Sequence, residues 1–133
     1  MLVREVMTSP AVTVGPGTSV RDAIGLLDRF RITSLPVVDD DGRPVGVVSE
    51  ADLLREALGL SGHDTVGEVM TCEVLSVSAD GDTMDAFAVM NGTAVKSLPV
   101  LLHGRVVGVL SRRDLVSALA RGDLDPAHAG PDS

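Results

Sequence analysis

A glycine, a serine and an aspartate recur at the same spacing at two points of the chain. The first copy is Gly46–Leu53 (GVVSEADL) and the second is Gly108–Leu115 (GVLSRRDL). In both copies the apolar residues predict a strand that runs into a helix at the serine. A helix N-terminus offers N–H groups and partial positive charge to an anion, and a carboxylate accepts hydrogen bonds from the hydroxyls of a sugar. We call these segments the first junction and the second junction.

The same residues also fit a helix cap that needs no ligand. In a capping box, the serine accepts a hydrogen bond from the third helical N–H, and an acid reaches back to the N–H of the cap residue. Capping leaves Gly46 and Gly108 unexplained, because glycine weakens a strand unless a backbone or a ligand must approach closely. The pattern alone therefore leaves the capping and the ligand interpretations open.

The two junctions differ in charge. Glu50 follows the first serine, where an acid suits the helix dipole and disfavours a phosphate. Arg112 and Arg113 hold the corresponding positions in the second junction, where cations are unfavourable for the dipole unless they meet an anion. Their alternative role is to point into solvent or to pair with nearby acids. We therefore expect the junction of Asp114 to prefer phosphorylated ligands, and the junction of Asp52 to bind more weakly or to accept a less charged compound. Three further cations are weaker candidates for a phosphate contact: Lys96, Arg31 and Arg43.

The junctions belong to an internal duplication that covers most of the chain. Val3–Thr8 (VREVMT) aligns with Val66–Thr71 (VGEVMT), and the segment SLPV at Ser34 returns at Ser97. We call the two VxEVMT segments the first and second lead-in. Each copy is predicted to run helix, strand, helix, strand, strand, helix. The sequence thus divides into a first repeat at 1–61, a second repeat at 62–120 and a flexible tail at 121–133.

Apolar spacing and turn residues set the predicted elements of the first repeat. They are a strand at Val12–Val14, a helix capped by Thr18 or Ser19 that ends near Phe30, strands at Leu35–Val38 and Pro44–Val48, and a helix from about Glu50 to Leu58.

Two differences are expected in the second repeat. His103-Gly104 suits a tight hairpin turn that needs positive φ. Asn91-Gly92 replaces Asp28-Arg29 and is expected to fray the last turn of the preceding helix.

Composition excludes several classes of function. The chain has 133 residues, a net charge of −8 and a pI near 4.6, so phosphate backbones are repelled and nucleic-acid binding is not expected. Its aromatic residues are Phe30 and Phe87, too few for a base-stacking platform. No leader and no membrane-spanning run is predicted, and Cys72 is the single cysteine. We therefore expect a soluble, cytoplasmic protein without disulfides.

The other polar clusters do not predict catalysis or a metal site. Asp39–Asp41 precedes Gly42 and is interpreted as a hairpin turn rather than a cation site. The three histidines, His63, His103 and His128, lack ligand spacing. Gly15-Pro16-Gly17 lacks the lysine of a phosphate loop. No enzymatic activity, no metal and no obligatory cofactor are expected.

The paired lead-ins, the SLPV segments and the Gly-x-x-Ser-x-x-Asp-Leu junctions resemble a tandem pair of CBS domains, named after cystathionine beta-synthase. The resemblance covers residues 3 to 120, so it implies a stand-alone CBS pair. It implies an α+β fold of two pseudo-symmetric β-α-β-β-α units packed sheet to sheet, which associates further into a homodimer. It also implies a regulatory, energy-sensing role: AMP, ADP, ATP or S-adenosylmethionine binds between the repeats, and an unknown partner protein is controlled.

The resemblance implies that each cleft takes its serine and aspartate from one repeat and its lining from the other. Ser49 and Asp52 would then face Val74, Leu75, Val95, Lys96 and Ser97, whereas Ser111 and Asp114 would face Ala11, Val12, Ile32, Thr33 and Ser34. Any one of these lining residues also fits an ordinary strand end in the core. Two other functions stay open: a structural dimerisation or interaction module without a ligand, and an accessory to a separately encoded enzyme.

Overall fold

The computed structural model describes residues 1–59, 62–93 and 95–122. Its elements are listed here in chain order: α1 (Val3–Val6), α2 (Val20–Phe30), β1 (Ser34–Val38), β2 (Pro44–Ser49), α3 (Glu50–Ala57), α4 (Val66–Val69), β3 (Val77–Ser78), α5 (Thr83–Thr93), β4 (Ser97–Leu102), β5 (Arg105–Ser111) and α6 (Arg112–Arg121). This mixture of helices and two small sheets is the predicted α+β class.

The elements form two units whose boundaries differ from those of the two sequence repeats, because the first residues of each repeat belong to the other unit. The repeat-one unit contains Ala11–Leu75 with His103–Val106. The repeat-two unit contains Met1–Pro10, Ser76–Leu102 and the described residues from Val107 onward. Each lead-in therefore packs with the other repeat's sheet and helices. The division at 1–61 and 62–120 stays a prediction from the sequence. The flexible tail also stays a prediction, because residues 123–133, which include His128, lie outside the described residues.

The repeat-one unit is built on an antiparallel hairpin of β1 and β2. Ser34 lies opposite Ser49 in this hairpin, so the start of β1 and the end of β2 are neighbours. At the other end, Oδ1 of Asp39 accepts from the N–H groups of Asp41 and Arg43, at 2.9 and 3.0 Å. This contact confirms the predicted turn. The apolar faces of the hairpin, α2 and α3 meet in one core, whose buried residues are Val14, Val20, Ala23, Leu27, Leu35, Val37, Val48, Leu53 and Val66.

The repeat-two unit repeats this plan with a sheet in the order β3-β4-β5. His103 and Gly104, which belong to the repeat-one unit, join β4 to β5 with φ of 54° and 79°, which confirms the predicted tight turn. The first lead-in contributes to this unit, because Val3 and Val6 of α1 are buried in its core. The other buried residues of that core are Ala79, Ala86, Met90, Leu98, Val100, Leu110, Leu115 and Ala118.

Two local predictions were wrong. The helix α5 does not fray at Asn91-Gly92 but continues to Thr93, whose hydroxyl donates to the carbonyl of Val89 at 2.7 Å. Buried Met90 anchors this last turn, so packing outweighs the low helix propensity of glycine. The strand expected at Val12–Val14 is a single parallel bridge between Val14 and Val37.

The helix starts follow the predicted capping chemistry. Ser19, rather than Thr18, caps α2 by accepting from the N–H of Asp22. At α4, the hydroxyl of Thr65 donates to Oε1 of Glu68 at 2.9 Å and holds the pKa of Glu68 below its usual 4.5.

No helix in the described ranges is long and apolar enough to cross a membrane.

Candidate functional site

Both junctions form complete capping boxes. At the first junction, the N–H of Asp52 donates to Oγ of Ser49 at 3.2 Å, and the N–H and hydroxyl of Ser49 donate to Oδ2 of Asp52 at 3.1 and 2.9 Å. Ser111 and Asp114 make the same contacts at the second junction, at 3.2, 2.8 and 3.1 Å. Capping therefore accounts for both serines and for one oxygen of each aspartate.

The second carboxylate oxygen, Oδ1, distinguishes the two junctions. Oδ1 of Asp52 has the guanidinium of Arg55 at 3.9 Å, beyond hydrogen-bond distance, and the Asp52 side chain is 25% exposed. Oδ1 of Asp114 accepts a 2.7 Å hydrogen bond from the hydroxyl of Thr8, on the first lead-in. A ligand hydroxyl thus finds an acceptor outside the cap at both junctions, but at Asp114 a protein donor already occupies part of it.

The lead-ins explain the junction glycines without a ligand. A Cβ on Gly46 would lie 2.5 Å from Sδ of Met70 and 3.0 Å from the carbonyl oxygen of Thr71. On Gly108 it would lie 2.6 Å from Sδ of Met7 and 2.8 Å from the carbonyl oxygen of Thr8. The close neighbour that glycine permits is therefore the lead-in of the other repeat. This removes the glycines as evidence for ligand binding.

The same backbone contact carries different charges in the two units. In the repeat-one unit, the N–H of Glu50 donates to the carbonyl of Thr33 at 2.9 Å. In the repeat-two unit, the N–H of Arg112 donates to the carbonyl of Lys96 at 3.3 Å. A neutral residue and an acid thus meet beside the first junction, whereas two cations meet beside the second.

The arginines of the second junction are available to an anion. Arg112, Arg113 and Lys96 are exposed. Neither arginine forms an ion pair with any of the described residues. The predicted alternative was that they point into solvent or pair with nearby acids: the pairing does not occur within that part of the chain, whereas their exposure also fits side chains that point into solvent.

The structure places several predicted lining residues beside the junction of their own repeat. Ser34 pairs with Ser49, and the preceding Thr33 accepts from Glu50, so the start of β1 borders the first junction. Lys96 borders the second junction in the same way. The pairing of each junction with the opposite repeat stays a prediction. The remaining lining residues are partly buried or exposed, and their role as ligand contacts also stays a prediction: Ala11, Val12, Ile32, Val74, Leu75, Val95 and Ser97.

A cavity of about 380 Å³ lies beside the first junction, in the repeat-one unit. Ile32 and Thr33 line it, but Ser49 and Asp52 do not. It is formed instead by one face of α2 and the start of α3, and its other lining residues are Ile24, Leu27, Asp28, Arg31, Glu50 and Leu54.

One residue of the site was missed from the sequence. Thr8 is the last residue of the first lead-in and aligns with Thr71 of the second. The repeat gives no sign that the hydroxyl of Thr8 reaches Asp114, which lies 106 positions away. Only the packing of the first lead-in in the repeat-two unit shows this contact. Among the described residues no group of three or more His, Cys, Asp or Glu could hold a metal ion.

Comparison with known proteins identifies the family of this chain. A family model described as CBS domain matches residues 3–59 and again residues 66–121. The chain is 29% identical over 118 residues to an uncharacterized 17.7 kDa protein of Acidianus ambivalens, which covers 88% of this chain and 72% of that protein. It is 34% identical over 112 residues to the inosine-5'-monophosphate dehydrogenase of Mycobacterium leprae. That match covers 83% of this chain but only 21% of the dehydrogenase.

Solved structures give the same family. The CBS-pair protein CBSX2 from Arabidopsis thaliana, solved in complex with AMP, is 33% identical with a TM-score of 0.81, and the match covers 92% of this chain and 98% of that one. The CBS domain pair of protein MJ0100 was solved with 5'-methylthioadenosine and S-adenosyl-L-methionine. It is 26% identical with a TM-score of 0.80 and covers 93% of this chain and 98% of that one. This chain belongs to the CBS domain family and carries the domain twice, as a tandem pair.

Proposed function

We propose that the chain is a regulatory module that binds an adenosine-containing ligand, AMP, ADP, ATP or S-adenosylmethionine, at its serine–aspartate junctions. The observation that carries the proposal is the position of Oδ1 of Asp52, which lies outside the capping box and accepts no hydrogen bond from the described residues. An ionised carboxylate oxygen has two acceptor positions, so Oδ1 alone can receive both hydroxyls of a ribose. The cap and the ligand contact are therefore compatible at one aspartate.

The start of β1 borders the first site. The backbone of Thr33 and Ser34 runs beside Glu50 and Ser49, and the preceding residue, Ile32, is partly buried. An aliphatic side chain and strand-end peptide groups suit an adenine, which presents a flat apolar face and a polar edge. The AMP and S-adenosylmethionine complexes of the two related CBS pairs support this choice of ligand class.

The second site is proposed to favour a phosphorylated ligand. Lys96 and Arg112 are joined through their backbones, and Arg113 follows on the first turn of α6. A phosphate at this helix start would neutralise cations that otherwise oppose the helix dipole. A module with one such site senses the phosphorylation state of adenine nucleotides, which is the basis of an energy sensor.

A homodimer in the cytoplasm is the proposed working form. Each unit exposes large apolar side chains along its helices, which a second copy of the chain would cover. In the repeat-one unit these are Phe30, Leu54 and Leu58, and in the repeat-two unit they are Met84, Phe87, Val116 and Leu119. The dimer would report ligand binding to a partner protein.

The second candidate is a dimerisation or interaction module without a ligand. The complete capping boxes and the glycine contacts favour it, because they explain Gly, Ser and Asp at both junctions structurally. Thermal-shift and calorimetric titration with AMP, ADP, ATP and S-adenosylmethionine separates the two candidates, with GMP as the base-specificity control. Stabilisation by an adenosine compound and not by GMP supports ligand sensing, since a ligand stabilises the state that it binds. No response to any of them at millimolar concentration supports the structural module.

A further inference from the structure

The first lead-in is held to the second junction by its side chains as well as its backbone. The N–H of Thr8 donates to the carbonyl of Val109 at 2.9 Å, and the N–H of Val109 donates back at 3.0 Å. The hydroxyl of Ser9 donates to the carbonyl of Val107 at 3.0 Å, and the hydroxyl of Thr8 donates to Oδ1 of Asp114 at 2.7 Å. All of these residues lie in the repeat-two unit.

The second lead-in has the backbone contacts but not the side-chain contacts. Thr71 and Val47 exchange the same two backbone hydrogen bonds, both at 2.9 Å. Within the described residues, the hydroxyl of Thr71 makes no hydrogen bond to Asp52. Cys72 stands at the position of Ser9. Among the described residues, the first lead-in therefore makes two side-chain hydrogen bonds to the strand and helix beside it that the second lead-in does not make.

We infer that Thr8 is a latch that competes with the ligand for Asp114, so that binding at the second junction is coupled to release of the first lead-in. This inference rests on the proposed function, because it names a control residue of the proposed site. Oδ2 of Asp114 is held by the capping box, so a ligand hydroxyl must use Oδ1. Oδ1 has two acceptor positions and Thr8 already fills one of them, so both hydroxyls of a ribose can bind there only if Thr8 gives way.

The latch has two consequences for the module. Among the described residues no protein donor has to be displaced from Oδ1 of Asp52, so the first junction fills more easily than the acidic residue beside it alone predicts. At Asp114, part of the binding free energy is spent on freeing Thr8, and the first lead-in loses one attachment when the ligand enters. The second junction therefore reports its occupancy to residues 1–10.

The test compares Thr8→Val with its repeat counterpart Thr71→Val in the full chain. Asp52→Asn is added to both so that calorimetry with AMP reports the second junction. Valine keeps the shape of threonine and both residues are exposed, so the fold is expected to survive. A hydrogen bond between a hydroxyl and an exposed carboxylate predicts that Thr8→Val binds AMP about three- to tenfold more tightly, and that Thr71→Val binds unchanged.

Each result decides one of the two claims. Unchanged AMP affinity in Thr8→Val overturns the latch and leaves the proposed function standing. Weaker affinity also overturns it, because Thr8 would then contact the ligand. Absence of binding by AMP, adenosine and S-adenosylmethionine to every variant and to the unmodified chain overturns the proposed function, and the latch with it.

Amide hydrogen exchange gives a second readout that a purely structural role of Thr8 would not change. Saturation of the unmodified chain with AMP is expected to speed exchange at the amides of Thr8 and Val109, which the lead-in protects. The matched amides of Thr71 and Val47 are expected to keep or gain protection. Slower exchange at Thr8 and Val109 on saturation would contradict release of the lead-in.

Discussion

Thr8 and Asp114 lie 106 positions apart in the chain, yet the hydroxyl of one is 2.7 Å from a carboxylate oxygen of the other. The same aspartate closes the capping box of α6 through its second oxygen. One side chain thereby joins the start of the chain, the end of β5 and the start of α6 within the repeat-two unit. Its counterpart, Asp52, joins only β2 and α3.

A double-mutant cycle measures this contact. We expect Thr8→Val and Asp114→Asn to be coupled by about 1 kcal/mol in the free energy of unfolding, the usual size for such a hydrogen bond. The control cycle of Thr71→Val with Asp52→Asn is expected to give about zero, within the roughly 0.3–0.5 kcal/mol scatter of independent sites. Urea unfolding gives all of the required values. Zero coupling between Thr8→Val and Asp114→Asn would show that the contact adds no stability, and equal, non-zero coupling in both cycles would contradict the difference between the two junctions.

Substitution of either junction glycine by alanine is expected to lower the free energy of unfolding, because the added methyl group has no room. Gly108→Ala forces a methyl group against Met7 and the carbonyl of Thr8, and we expect a loss of about 1–3 kcal/mol. Gly46→Ala meets Met70 and the carbonyl of Thr71 and is expected to cost a similar amount. Gly25→Ala is the matched control, because it has open space in α2 and alanine favours helices. A ligand-free chain that tolerates Gly108→Ala without loss would return that glycine to a ligand role.

Thr83 offers a stabilising substitution. Its side chain is buried, with 1% exposed, and its hydroxyl has no hydrogen-bond partner in the described structure. Valine occupies the same place in the first repeat, at Val20. We expect Thr83→Val to raise the free energy of unfolding by about 1 kcal/mol, because an unsatisfied buried hydroxyl is removed at constant shape. The reverse change Val20→Thr is expected to lower it by a similar amount, and a lower midpoint of unfolding in Thr83→Val would be the contrary result.

The charge difference between the junctions predicts a difference in ligand preference. With Asp52→Asn present, we expect AMP to bind about tenfold more tightly than adenosine, because a phosphate gains charge-assisted contacts at the second junction. With Asp114→Asn present, the two ligands are expected to bind about equally. Arg112→Ala with Arg113→Ala should remove the preference without altering adenosine affinity. Calorimetry that finds equal affinity for AMP and adenosine in both single-aspartate variants would contradict this account.

Most of the fold was predictable because the repeat supplies each pattern twice. The α+β class, the hairpins and the helix starts follow from apolar spacing, from the Asp39 turn and from serine caps. Helix α5 was the exception, since burial of Met90 is a tertiary effect that local propensity does not contain. The sequence also did not predict that each lead-in packs in the unit of the other repeat. Both lead-ins have the same sequence pattern, and nothing local indicates which sheet each one joins.

The sequence singled out the candidate residues of both junctions, whereas their role as ligand contacts stays a prediction. The sequence identified Ser49, Asp52, Ser111 and Asp114 and left capping and ligand binding as alternatives. The structure shows that capping uses one carboxylate oxygen, so the alternatives are not exclusive. It also shows that Thr8 makes the two aspartates unequal, a long-range contact that no spacing rule could supply.

The measurement that tests the central claim most directly is a titration of the unmodified chain and of the Asp52→Asn/Asp114→Asn double variant with AMP, adenosine and S-adenosylmethionine. Circular dichroism first establishes that the variant is folded. We expect saturable binding of at least one of these compounds to the unmodified chain and its loss in the double variant. Binding that survives unchanged in a folded double variant, or that is absent from the unmodified chain, would contradict the assignment of the junctions as ligand sites.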